Sequence, residues 1–185
     1  MTATESTGTG STDTALSQER ADLLAALAHA RHFLRFTARD LTDEQANTRS
    51  TVSELTVGGL IKHVTQVERN WAQFTVRGAE AMQVSDYTTW TEDDFAEYAE
   101  GFRLSDGETL AGVLADYDEA ARETDRVLRD APSLDTLIEL PKAPWNTDTH
   151  WSARRVFQHI CAETAQHAGH ADIIRESLDG AKSMG

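Results

Sequence analysis

The chain has 185 residues, 31 of them acidic and 17 basic, for a formal charge of -14. That length supports one domain with a substantial core, and the acidity argues against nucleic acid or an anionic membrane surface, both of which need cationic contacts. No run approaches the roughly 18 uninterrupted apolar residues of a membrane helix, and the lone cysteine, Cys161, leaves no internal disulfide and suits a reducing cytoplasm.

Residues 1–15 are rich in Thr, Ser and Gly and lack the basic start and apolar core of a signal peptide. They read as a disordered leader to one domain over 16–185. From there the periodicity is helical. Leu23, Leu24, Leu27, Phe33 and Leu34 predict a first helix from about Ser17 to Ala38. Thr42-Asp43-Glu44-Gln45 has capping-box spacing and predicts a short helix or turn. Thr56-Val57-Gly58-Gly59 leads into a second long helix, to about Val76, with Leu60, Val64, Val67, Trp71 and Phe74 on one face and His63 on its flank.

Between Gly78 and Ser105 the pattern weakens into an acidic and aromatic segment, with Tyr87, Trp90, Phe95, Tyr98 and Phe102. It is long for a structureless loop, so a short helix is expected around Glu92 to Glu100. Ser105-Asp106-Gly107-Glu108 has capping-box spacing and is expected to open a third long helix carrying Leu110, Val113, Leu114, Tyr117, Val127 and Leu128. All three prolines lie from Pro132 to Pro144, before a fourth helix with Ser152 as its N-cap and Asp179-Gly180 as its stop. No strand pattern or internal repeat is evident. The expected fold is all-α, a four-helix bundle with a long connection between the second and third helices.

The fourth helix carries the chemistry. His159, Glu163, His167 and His170 are spaced four, four and three residues apart, which stacks them along one face near that of Val156, Ile160 and Ile174. Polar groups set into a buried face are costly unless paired or bound to metal, and Glu-x-x-x-His can deliver two ligands to one ion. A third ligand must come from elsewhere, and His63 on the second helix is the candidate. His63, Glu163 and His167 would form a site with an open position, suited to zinc, with nickel as an alternative. The competing reading is a hydrogen-bonded His–Glu network that holds the bundle in register.

Other residues carry less weight. His29 and His32 read as solvated or packing residues, and His150 as a loop residue. Cys161 is offset from Glu163 by about 160° around the helix and reads as packing. Trp145 and Trp151 suit either a site mouth or packing at the bundle end. Arg154 and Arg155 suit surface pairing. No phosphate-cradling loop, dinucleotide fingerprint or Gly-x-Ser-x-Gly elbow is present.

Two segments, Gly59 to Trp71 and His159 to Glu176, resemble the DinB-like superfamily of metal-binding four-helix proteins, over about Ser17 to Gly180. Many relatives have His-x-x-x-His-Arg-Gly-Gln where this chain has Glu163 to His170. Here Glu163 replaces the first His, and Ala168 and His170 replace Arg and Gln. The His, Glu, His set resembles the branch of mycothiol-dependent maleylpyruvate isomerase and mycothiol S-transferases. That resemblance implies His63, Glu163 and His167 as metal ligands, mycothiol as thiol cosubstrate, an electrophilic small molecule as second substrate, and a homodimer in some relatives. It leads to an expected metal-dependent S-transferase, with His170, one turn beyond His167, as a hydrogen-bonding partner of the ligands or a proton acceptor. The alternatives are a metal-dependent hydrolase and a non-enzymatic protein with a structural metal, to which His159 would add a fourth ligand.

Overall fold

In a computed structural model that describes residues 16–82, 89–142 and 147–183, the polypeptide forms six α-helices and one small hairpin. The leader expected over 1–15, together with Tyr87, Pro144 and Trp145, lies outside the described residues. Four long helices make the bundle: α1 (Gln18–Thr37), α3 (Val57–Arg77), α5 (Leu110–Asp130) and α6 (Ala153–Asp179). Between them lie short α2 (Asp43–Ala46), a 3-10 turn (Gly78–Ala81) and α4 (Glu92–Glu100). The packing runs in a ring, in which α3 neighbours α5 and α6 while α1 neighbours α6 and α5. No helix among the described residues is long and apolar enough to cross a membrane.

Each long helix starts where a hydroxyl meets an orphan N–H. Ser17, Thr56, Thr109 and Ser152 accept from the backbone N–H of Arg20, Gly59, Gly112 and Arg155. Thr42 and Thr91 close full capping boxes with Gln45 and Asp94. Gly180, at φ 77°, ends α6 in the left-handed conformation that glycine adopts without a Cβ penalty.

Two expectations are corrected. The Ser105–Glu108 capping box does not open the third long helix. The Glu108 carboxylate does accept from the Ser105 N–H at 2.7 Å, but the Ser105 hydroxyl faces Lys62 Nζ at 3.1 Å, and the helix begins later, capped by Thr109. A hairpin was also not foreseen: β1 (Leu137–Glu139) pairs antiparallel with β2 (His150–Ser152), with Ile138 opposite Trp151. Three-residue strands are too short to display alternation. His150, expected in a loop, therefore sits exposed on a strand, and β2 sets Trp151 one residue ahead of the α6 cap.

The core has two sections along the bundle. One gathers Leu34, Leu60, Ile61, Val64, Val113, Tyr117, Ala171 and Ile174, and the other Leu27, Phe74, Leu128, Phe157 and Ile160. Each fully buried large apolar side chain contributes about 1.5–3 kcal/mol. A charged group also lies inside. Glu68 on α3 is completely buried and is paired with Arg31 on α1, which also reaches Asp125 on α5 at 2.8 Å.

Candidate metal centre

The α6 stripe lies on the shoulder of the buried face rather than at its centre. The residues turned fully inward are Val156, Ile160, Thr164, Ala168, Ala171 and Ile174. The functional candidates mostly stand one position earlier and about 100° around the helix. The side chains of His159 and Glu163 are 27% and 28% exposed, and that of His167 is 13% exposed. Half-burial matters chemically: the groups are largely desolvated yet reachable from solvent.

His63 comes to this shoulder from α3. Its ring centroid is 4.9 Å from that of His167, with the planes nearly perpendicular. His63, Glu163 and His167 each present a donor atom, and the three atoms lie within 4.8 Å of one another. Glu163 Oε2 stands 3.5 Å from His167 Nε2, across one helical turn. His159 Nε2 is 3.9 Å from the other oxygen of Glu163, so it borders the trio without belonging to it.

The electrostatics suit ligation. Burial, with the His167 imidazole adding to it, lowers the pKa of His63 to about 4, so its ring is neutral near pH 7 and offers a lone pair. Glu163 is held below the ordinary carboxylate range, first by its hydrogen bond with His167, and carries negative charge. His159 is also pushed down by burial. Two imidazoles and one carboxylate form a donor set that divalent ions of the zinc type accept. His170 Nδ1 lies 3.4 Å from His167 Nδ1, on the side of the ring away from Glu163.

Aromatic rings frame the trio on two sides. Phe102 stacks on His63 at 4.1 Å between centroids, and Tyr98 meets both rings edge-on at 6.2 and 5.7 Å. Gly59 is the condition for this arrangement. A Cβ there would stand 1.7 Å from the Phe102 carbonyl oxygen, so only glycine lets the 102–103 backbone lie against α3. On the other side Trp71 and Trp151 stack at 5.0 Å, and His159 is wedged edge-on against both. The sequence reading missed Phe102, Tyr98 and Gly59 as parts of the site. Their only signals were the aromatic cluster before Ser105 and the Gly58-Gly59 pair.

The remaining candidates stand elsewhere. His29 and His32 are exposed on α1, against Phe33 and Phe36. The Cys161 thiol is pushed up to about 11 by burial, which disfavours a nucleophilic thiolate. Arg154 pairs with Glu19 and Asp135, and Arg155 with Asp148 at 2.7 Å.

Comparison with known proteins gives the fold and the family. No curated protein matches the chain. The fold is shared with the crystal structure of a conserved protein from Enterococcus faecalis, 15% identical, at a TM-score of 0.63 over 90% of this chain and 100% of that one. The family model described as mycothiol-S-transferase matches residues 22–180, a span that runs from α1 through α6 and includes His63, Glu163 and His167. The chain therefore belongs to the mycothiol-S-transferase family of DinB-like helical-bundle proteins.

Proposed function

We propose that this protein is a metal-dependent S-transferase that joins a low-molecular-weight thiol, mycothiol in keeping with the family, to an electrophilic small molecule. The observation that carries the reading is the convergence of His63, Glu163 and His167 donor atoms on a half-buried shoulder of the bundle. Zinc is the ion expected first, with nickel as the alternative. A divalent ion held by these three residues would keep a thiol deprotonated near neutral pH.

The chain's own residues account for the rest. Neutral His63 and His167 would donate nitrogen lone pairs, and anionic Glu163 would offset cationic charge. His167 turns Nε2 toward Glu163 and Nδ1 toward His170. With Nε2 given to the ion in place of its hydrogen bond to Glu163, a proton on His167 Nδ1, donated to His170 Nδ1, would fix the ring. Phe102 shields one face of His63 from water. The half-exposed side of Glu163 leaves a path for substrate. No protein thiol is required, in keeping with the raised pKa of Cys161.

The test is metal content by mass spectrometry, on protein purified without a metal-affinity column, followed by cobalt substitution and titration with mycothiol. One equivalent of metal and a thiol-dependent change in the cobalt spectrum are expected. Metal without a thiol response would turn the reading toward hydrolysis or a structural ion. Absence of metal after reconstitution with zinc or nickel would leave a hydrogen-bonded core network.

A further inference from the structure

His159 is held more firmly than its place outside the trio would require. It stands on α6 one turn before Glu163, and its ring is set edge-on against both Trp71 and Trp151, at 4.8 and 5.1 Å between centroids. Those indoles stack on each other at 5.0 Å and are themselves anchored. Trp71 meets the fully buried Phe74 of its own helix at 5.3 Å. Trp151, on β2, donates from Nε1 to Asp148 at 3.2 Å and carries the Arg155 guanidinium 4.5 Å from its ring centroid. The imidazole therefore has little freedom to turn, and it presents Nε2 to Glu163 Oε1 at 3.9 Å, a polar contact longer than a hydrogen bond. The two oxygens of Glu163 are thus divided: Oε1 faces His159 one turn before it, and Oε2 faces His167 one turn after it.

From this arrangement we infer that His159 is a positioning residue for the metal centre and not a ligand: caged by Trp71 and Trp151, it steers the Glu163 carboxylate so that one oxygen serves the ion. The inference rests on the metal-binding part of the proposed function. A carboxylate can ligate through one oxygen or through both. With its proton on Nε2, His159 opposes Oε1 with an N–H and leaves Oε2, the oxygen beside His167, for the ion. One-oxygen ligation keeps a coordination position for an incoming thiol. Polar partners of this kind hold ligating carboxylates in many metal sites. The hairpin thereby gains a part in the centre, since β2 supplies one wall of the cage that sets the His159 ring.

The test is zinc affinity, read by competition with a chelator, with the far-ultraviolet helical signal measured on each protein. His159→Phe keeps a ring against the indoles and removes the nitrogen, which separates packing from positioning. His159→Phe and His159→Ala are expected to take up one equivalent of zinc at saturation but to bind it about 10–100-fold more weakly than wild type. His159→Gln, whose amide reaches the place of Nε2, is expected to recover most of the affinity. Trp151→Ala should weaken binding too, and adding it to His159→Phe should cost nothing further, because both act through one ring. Wild-type affinity in His159→Phe, or a His159→Gln no better than His159→Phe, overturns the inference and leaves a packing residue. Loss of stoichiometric zinc from His159→Phe overturns it in the other direction, by making His159 a ligand. Losses that add in the double variant overturn the part given to Trp151. No thiol enters the measurement, so a protein that binds zinc as expected and transfers no thiol would sink the transferase reading alone. A wild type that takes up no zinc sinks both.

Discussion

His167 is held from two sides, by Glu163 one turn before it at 3.5 Å and by His170 at 3.4 Å, and this separates the roles of its neighbours. Removing a ligand should abolish binding, whereas removing a group that orients a ligand should only weaken it by about 10–100-fold. His167→Ala and His63→Ala are thus expected to lose the metal while the far-ultraviolet helical signal persists. Stoichiometric metal in either variant would refute the assignment. His170→Ala should retain metal at saturating concentration, bind it more weakly in a competition titration with a chelator, and turn over more slowly. Unchanged affinity and rate would reduce His170 to a packing residue. The spacing of these residues was legible because α-helical geometry converts sequence intervals directly into angles. Their place on the shoulder was not, because the direction a helix buries depends on neighbours distant in sequence. Phe102 was hidden for the same reason: it meets His63 from 39 positions further along the chain.

At the scale of elements, the close approach of the 102–104 segment to α3 rests on glycine. Gly59→Ala would drive a methyl into the Phe102 carbonyl and displace the ring from His63, at a cost of about 1–3 kcal/mol. Thermal unfolding should show the loss. Wild-type stability would mean that the segment shifts freely. The same segment is tied down by Glu108, whose carboxyl is held below its ordinary value first by Lys62 Nζ at 2.7 Å and then by the Ser105 N–H. A depressed carboxylate pKa stabilises the fold above the unfolded value of 4.5, and that contribution vanishes as pH falls through the lower folded value. Denaturation midpoints of the wild type and Glu108→Gln should therefore differ at pH 7 and converge at acid pH. A gap independent of pH would show that charge is not what Glu108 supplies. Elements with strong caps were legible from sequence: α1, α4 and α6 begin after Ser17, Thr91 and Ser152, each beside its partner N–H. The hairpin was not, since β1 and β2 have three residues each and are held by pairing across the link.

The molecule as a whole is braced by the buried charge pair that joins α1 to α3. Glu68 has no exposure, and Arg31 reaches it with two nitrogens while its third bonds Asp125 on α5. Neither residue was legible as core, because charged residues on a helix ordinarily face water and nothing local marks a partner 37 positions away. Breaking a buried pair leaves one charge without compensation and typically costs about 3–5 kcal/mol, whereas replacing both partners with apolar residues of similar volume is often neutral or stabilising. Glu68→Leu alone should therefore lower the metal-free Tm by about 10 °C, since about 2–4 °C accompanies each kcal/mol in a protein of this size. Arg31→Met with Glu68→Leu should recover most of that loss. The comparison belongs in metal-free buffer, because ligand binding would mask differences in the apoprotein by mass action. If the double variant is as unstable as the single, the bundle depends on the pair itself and not on avoiding an orphaned charge. If Glu68→Leu is as stable as the wild type, Asp125 alone compensates Arg31 and the brace runs between α1 and α5.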